Sequence, residues 1–413
     1  MNMDGAAEGE AGGKLFLVWG GLPGELLEVR VYGRRKKRYL SYPLQVLEPG
    51  EHRREPLEDH YYTCSPWQVL DPAAEERFKR ERLRELLERR AGFDLGSFAM
   101  YQGKYTAYRN KMEYSFLYED FSPAFFLRGS RRKTAVPRGC VLAKEEINSV
   151  ALALRDFLRD EGVDPRAVKT LTLRCNSKGE VLASLFVKEE DFALKHEPGT
   201  VPGLAGWRIF YSDPRSPASV PTRMLWSTGE SHLVEEVLGK KLLLTDLTFF
   251  QVNLEAFERA LEDIRAFTAG TNLLYDMYAG VGTIGITAGA KRTILVEEGE
   301  ESAQGARANI RLNGTPDVEV YCSRVEDFIP AASEKAVYVF DPPRQGLHKK
   351  VIRELRSKRP RRLVYLSCNP VTQAENLFWL KDLYRLTFFR AYNFFPRTPH
   401  VETLAVMDLR VSH

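Results

Sequence analysis

Residues 272–297 read NLLYDMYAGVGTIGITAGAKRTILVE, and the order of residue types in this stretch decides the fold. A short apolar run, Asn272–Tyr275, is followed by a carboxylate, Asp276, and by glycines at 280, 282 and 285. A second apolar run, Thr293–Val296, ends at Glu297. The sequence predicts strand, tight turn, helix and strand. Missing side chains in the turn let a ligand approach the backbone, as in the GxGxxG dinucleotide fingerprint. Asp276 stands where a dinucleotide-binding fold carries an apolar strand residue, so the stretch favours S-adenosylmethionine over NAD. Glu297 suits a ribose diol and would serve either ligand.

Downstream, further strand-like runs (Ala336–Phe340, Leu363–Leu366) alternate with helix-like stretches (Glu300–Asn313, Leu347–Ser357, Thr372–Leu380), and Leu254–Phe267 precedes them as a helix. Such alternation predicts βαβ units around a parallel sheet, an α/β architecture that binds ligands at the carboxyl ends of its strands. The chemistry-bearing residues fall at those ends. Strand 336–340 runs into Asp341-Pro-Pro-Arg344, and strand 363–366 into Ser367-Cys-Asn-Pro370. A thiol beside a methyl donor answers a specific problem. Carbon 5 of a pyrimidine becomes nucleophilic only after a thiolate adds to carbon 6. The carbon-5 proton must then leave to a base so that the thiol is eliminated, and Pro399-His-Val-Glu402-Thr403 offers one. Arg344 stands where amino-group methyltransferases place an aromatic residue to stack the base, which disfavours methylation of an exocyclic amine.

Composition bounds the rest. The chain has 413 residues, 44% hydrophobic and 28% charged, which describes a globular protein of two to three domains. Its longest uncharged run, Met277–Ala290, is too short and too glycine-rich to span a bilayer. Met1–Gly13 lacks the apolar core of a signal peptide and reads as a flexible tail. Five cysteines (64, 140, 175, 322 and 368) form no CxxC pair, which favours a reducing, cytoplasmic setting without a disulfide framework. Cys64, Cys175 and Cys322 read as buried small hydrophobes. The net charge of +4 is uninformative, so local clusters matter.

From Lys14 to about residue 60, short apolar runs broken by Gly and Pro predict a small β unit. It carries Arg30, Arg34, Arg35, Lys36, Lys37, Arg38, Arg53 and Arg54, interleaved with Tyr32, Tyr39 and Tyr42. Cations for phosphates and rings for bases make a nucleic-acid surface. Asp71-Pro72 opens a helix that Gly92 closes. Residues 97–245 mix strands with a helix at Lys144–Arg159 and hold a second basic cluster, Arg128, Arg131, Arg132, Lys133 and Arg138.

Taken together, Phe249-Phe-Gln-Val-Asn253, Tyr275–Thr283, Asp341–Gly346, Ser367–Pro370 and His400-Val-Glu402 resemble, in this order, the motifs of RNA 5-methyluridine (uracil-5-) methyltransferases. Leu22-Pro-Gly-Glu25 and the basic stretch after it resemble the TRAM RNA-binding β-barrel, an OB-like unit. Tyr108–Glu113 and Arg128-Gly-Ser130 are similar to the family's central domain. The resemblance implies a tail at 1–13, a TRAM-like barrel at 14–60, a central α+β RNA-binding domain at 61–245 and a Rossmann-like class I methyltransferase domain at 246–413. The helix at 71–92 would pack on the catalytic domain. The resemblance further implies S-adenosylmethionine contacts from Gln251, Tyr278, Thr283, Glu297 and Asp341, with Cys368 as nucleophile and Glu402 as proton acceptor. The implied partner is structured RNA, with 23S-type ribosomal RNA favoured over tRNA, acted on by a monomer away from membranes. Several relatives hold a four-iron–four-sulfur cluster on four cysteines. Here only Cys64 and Cys140 match those places, with Leu57 and Trp67 near the others, so no cluster and no metal are expected and the two thiols read as packing residues. The rivals are an RNA cytosine-5 methyltransferase, which would place a second Cys where Arg344 stands, and a catalytically silent RNA-binding protein, against which the Cys368/Glu402 pair speaks.

Overall fold

A computed structural model of the chain describes residues 5–410. The chain forms two compact units, each assembled from separated segments. The first takes the residues up to Glu75, Lys104–Leu233 and Pro396–Pro399, and the second takes Glu76–Gly103, Val234–Phe395 and the segment from His400 onward. The barrel and central regions expected as separate domains therefore fall within one unit.

In the first unit, four strands pair in the order Ala7–Ala11, Lys14–Val18, Arg38–Glu48, Leu26–Arg35. Residues 7–11 correct the expectation of a tail running to Gly13; residues 1–4 of that tail lie outside the described residues. Ala11 pairs with Lys14 across a two-residue turn in which Gly12 and Gly13 both have positive φ (55° and 71°). That is the geometry a tight hairpin asks of its turn residues. Trp19, Tyr32, Leu40 and Leu127 form the core beneath this sheet. Tyr32 is thus buried, with its hydroxyl donating to the Arg128 carbonyl at 3.0 Å, and does not present a stacking face. Arg53 is also committed inside, making two hydrogen bonds to the Glu25 carboxylate at 2.8 and 2.9 Å, and Arg54 pairs with Asp71. Arg34 to Arg38 remain exposed. In the second cluster Arg128 donates to the Thr63 carbonyl and Lys133 to that of Phe116, while Arg131, Arg132 and Arg138 stay exposed. The rest of the unit is a seven-stranded sheet, which includes Lys111–Phe116 and Val168–Cys175, packed against the helix Glu145–Asp160.

The second unit holds an eight-stranded sheet in the order Val318–Cys322, Thr293–Glu297, Leu274–Met277, Val337–Phe340, Arg362–Ser367, Glu402–Leu409, Tyr384–Tyr392, Ala99–Tyr101. The first five are parallel. Glu402–Leu409 runs antiparallel between its two neighbours. Chain order reverses between Leu274–Met277 and Val337–Phe340, because later strands add on opposite sides of that pair. A crevice opens at such a switch point, outside the carboxyl ends of the strands. The helix Pro72–Glu85 begins as the sequence predicts, with Asp71 Oδ1 accepting from the Ala73 and Ala74 amides. It continues as a wider turn, Leu86–Ala91, ended by Gly92 at φ 74°. Leu86, Leu87 and Ala91 are buried in the same core as Tyr275, Tyr338 and Tyr365. The strand Lys240–Leu244, paired with Leu233–Val237, buries Leu242 and Leu244 in the same core as Phe257 and Leu261, so the unit starts some ten residues before the expected boundary at 246. Cys175 is buried as expected. Cys322 is exposed, because its strand lies at the sheet edge and it is the last residue of that strand.

Candidate active site

The glycine turn is built from the strand Leu274–Met277 outward. Asp276 is fully buried, and its Oδ2 accepts from the Gly285 amide at 2.8 Å, tying strand to helix. Oδ1 has no hydrogen-bond partner. Burial, opposed by that amide and reinforced by the Asp341 and Glu297 charges, pushes the Asp276 carboxyl up to about 8. The glycines divide by task. A methyl group on Gly285 would meet Leu295 Cδ2 at 2.2 Å, and one on Gly282 would meet Leu295 Cδ1 at 2.8 Å, so these two let helix and strand approach. A methyl group on Gly280 would meet nothing within 4 Å. Gly280 borders open space, which is the cradle an approaching ligand requires.

Glu297 closes the turn from the next strand. Its Oε2 accepts from the Gly280 amide and its Oε1 from the Gly299 amide, both at 2.8 Å. A carboxylate has about four lone-pair directions, so two remain for a diol. Tyr278 follows the strand at φ 67°, an uncommon conformation for a bulky residue, with its amide bonded to the Val296 carbonyl. Burial raises its phenol well above the ordinary value. Thr283 is buried at the first position of the helix after the turn. Asp341 sits at the end of the neighbouring strand, where burial pushes its carboxyl up to about 7. Gln251 is buried just before the helix Leu254–Thr268, whose first turn is capped by Asn253. The five expected cofactor residues thus all belong to the second unit, and four of them ring the switch point.

Sheet register explains how residues 34 apart in sequence meet. Ser367 pairs with Thr403, so the next residue of one strand, Cys368, faces the preceding residue of the other, Glu402. Glu402 is buried, and one of its oxygens, Oε2, has no hydrogen-bond partner. Burial and the Asp341 charge raise its carboxyl well above the ordinary range, with Arg344 opposing. Burial, then Glu402, then Asp341 push the Cys368 thiol up to about 12, again opposed by Arg344. The Cys368 thiol therefore keeps its proton near pH 7 in the free protein.

Buried amides lock this edge. Gln373 Nε2 donates to the carbonyls of Tyr365 (3.0 Å) and Thr403 (3.3 Å), while its Oε1 accepts from the Thr403 hydroxyl at 2.8 Å. Asn369 caps the helix Pro370–Phe378, and its Nδ2 donates to the Arg344 carbonyl at 2.9 Å. Arg344 is the residue that sequence reasoning undervalued, having served there only to exclude a stacked base. Its signal was a cation three residues after Asp341, directly following the two prolines. Gln373 had no signal, since a single Gln in a helix reads as surface.

The family model tRNA (Uracil-5-)-methyltransferase matches residues 236–409, which contain every residue of this site. The structure is also similar to that of a Pyrococcus abyssi tRNA (uracil-54, C5)-methyltransferase in complex with S-adenosyl-L-homocysteine, with a TM-score of 0.78 and 26% identity over 98% of both chains. The chain is thus similar to RNA (uracil-5-)-methyltransferases along its whole length. Two curated relatives of this methyltransferase match it from end to end. A Bacteroides thetaiotaomicron protein described as an uncharacterized RNA methyltransferase is 25% identical over 98% of this chain and 100% of its own. A Caldanaerobacter subterraneus protein of the same description is 27% identical over 99% and 97%. Among the described residues, no helix of the methyltransferase is long and apolar enough to cross a membrane.

Proposed function

We propose that this methyltransferase transfers a methyl group from S-adenosylmethionine to carbon 5 of one uridine in a structured RNA, through a covalent adduct of Cys368 resolved by Glu402. The observation that carries the reading is the Ser367–Thr403 register, which faces a thiol with a buried carboxyl beside Asp341 at the switch point. Open space over Gly280 and the free lone pairs of Glu297 fit the cofactor, whose ribose Glu297 would hold and whose charged end would lie toward Asp341. When bound, S-adenosylmethionine supplies an electrophilic methyl group on a cationic sulfonium. The chain's own residues do the rest. Cys368 gives up its proton to solvent, favoured by Arg344, and its sulfur bonds to carbon 6 as the carbon 5–carbon 6 double bond opens. Carbon 5 then takes the methyl group. Glu402, ionised at that stage, accepts the carbon-5 proton; the double bond re-forms and the carbon–sulfur bond breaks, returning the thiolate. A base whose pKa is raised by burial is stronger once ionised, which suits removal of a proton from carbon.

The RNA follows from the length of the similarity. The TRAM-like reading of the N-terminal sheet tilted the expectation toward ribosomal RNA. The Pyrococcus enzyme, named for tRNA, aligns over 98% of this chain, so an N-terminal region of this kind is no argument against tRNA. That similarity supports tRNA as the substrate, held by the exposed Arg34–Arg38 and Arg131/Arg132/Arg138 clusters. The test is methylation of unmodified tRNA and ribosomal RNA transcripts with labelled S-adenosylmethionine, followed by nucleoside mapping. 5-Methyluridine in tRNA is expected. Label in cytosine would replace the reaction, and label in ribosomal RNA alone would replace the substrate.

A further inference from the structure

Far from the catalytic pair in sequence, four chemistry-bearing side chains meet inside the first unit. Glu58, His60 and Cys64 come from the segment after the four-stranded sheet, and Cys140 from the loop before the helix Glu145–Asp160. One donor atom from each lies within 4.8 Å of all the others. The Cys64 and Cys140 sulfurs are 3.8 Å apart. Glu58 Oε1 is 3.3 Å from the first and 3.6 Å from the second. His60 is 5% exposed, and its Nε2 lies 3.2 Å from Glu58 Oε2 but makes no hydrogen bond. These two cysteines are thus more than the packing residues expected of them.

We propose that Glu58, His60, Cys64 and Cys140 form a tetrahedral site for a single divalent ion, zinc. Tetrahedral zinc bonds sulfur at about 2.3 Å and nitrogen or oxygen at about 2.0–2.2 Å, which sets sulfur–sulfur edges near ~3.8 Å and sulfur–oxygen edges near ~3.6 Å. The sulfur–sulfur edge and the Cys140–Glu58 edge match, and the Cys64–Glu58 edge is about 0.3 Å shorter. Two thiols, an imidazole and a carboxyl are a donor set suited to zinc. They do not suit a four-iron cluster, which calls for four thiolates, one on each iron, and so spaces its ligands more widely than donors sharing one ion. Binding is not a redox step. Both sulfurs bind as thiolates and the imidazole as the neutral ring, the displaced protons and the ion's waters going to solvent; two sulfur–zinc bonds form with one nitrogen–zinc and one oxygen–zinc bond, and the site carries a net charge of −1. Neighbouring groups already orient the donors, as such sites require. The Val141 amide donates to Glu58 Oε2 at 2.8 Å, and Asn148 brackets Cys140 by accepting from its amide and donating to its carbonyl, both at 3.0 Å. The ion would clip the segment 58–64 to the loop at Cys140, adding binding free energy to the folding of this unit.

The test uses the full chain, purified anaerobically without chelator, desalted and analysed for metals and sulfide. About one zinc per chain is expected, with little iron. A chelator-stripped sample should melt at a lower temperature and recover on addition of zinc sulfate alone. Cobalt in place of zinc should give the visible absorption of tetrahedral thiolate coordination, a readout on the parent chain that needs no variant to fold. Cys64→Ser with Cys140→Ser should lose the metal, whereas Cys322→Ser, at an exposed cysteine, should keep it. The proposal is overturned by a parent chain that retains no zinc after incubation and desalting, by zinc retained in the double variant, or by about four irons with sulfide per chain.

Discussion

Replacing Glu402 by Gln changes two measurable quantities in opposite directions. The side chain keeps its shape, and an amide nitrogen can stand where Oε2 lies buried without a partner. A positioned general base is worth about 10²–10⁴ in rate, or ~3–5 kcal/mol of barrier, so turnover should fall by that factor. Cys368 is untouched, so the variant should still add to carbon 6, take the methyl group and stall. On a denaturing gel, a protein–RNA band should carry the methyl label. Stability should move the other way. The folded carboxyl titrates above its unfolded value, so its contribution is fully present below the unfolded pKa and is lost as pH rises toward the folded one. The parent should therefore lose stability relative to the variant as pH rises from 5 to 7. Urea unfolding at the two pH values reads this. Equal turnover by the variant, or a trapped band without label, would refute the role given to Glu402. Parallel stability curves would refute the upward shift of its carboxyl in the folded state.

Cys368→Ala should form neither 5-methyluridine nor a protein–RNA band; either product in that lane would move the nucleophile elsewhere. In the free enzyme near pH 7.5, iodoacetamide should label exposed Cys322 before Cys368, whose thiol burial and the neighbouring carboxyls push up to about 12, and peptide mass spectrometry would detect the reverse order. Glu297→Gln should weaken S-adenosylmethionine binding by about 1–3 kcal/mol in calorimetry, since charge-assisted bonds become neutral ones; unchanged affinity would remove Glu297 from the cofactor site. Replacing Arg34, Arg35, Lys36 and Lys37 together by Ala should flatten the salt dependence of RNA binding, by roughly 0.7–0.9 in slope for each phosphate left without its cation. An unchanged slope would return that cluster to a solvated face.

The catalytic edge was readable in the sequence because strand ends announce themselves. Apolar runs stop, and the residues that follow (Asp341, Cys368) lie at the carboxyl ends of parallel strands by topology alone. Glu402 was reached through its motif, and the antiparallel register supplies the physical reason for its position. Residues 7–11 were misread because Ala, Glu and Gly have little strand preference of their own; a neighbouring strand supplied the hydrogen bonds. Tyr32 reads as surface because side-chain type does not tell which face of a twisted strand is covered, and Arg53 because only the fold brings the Glu25 carboxylate to it. The Glu58–His60–Cys64–Cys140 group was hidden because its members come from irregular segments without periodicity, and only the tertiary fold brings Cys140 to the other three.

One consequence of the strand-end placement concerns the RNA rather than the protein. Glu402 belongs to an interior strand of the sheet and Cys368 follows directly on another, so neither can reach outward on a loop to meet its target. A uracil stacked in a helix presents only its edges, and its carbon 6 is shielded by the neighbouring bases. Under the proposed reaction, the nucleotide would swing out of its stack to enter, at a cost of a few kcal/mol, least where the base is unpaired. Under that reaction, selection among uridines would lie partly in the RNA, in how cheaply its local structure releases the base.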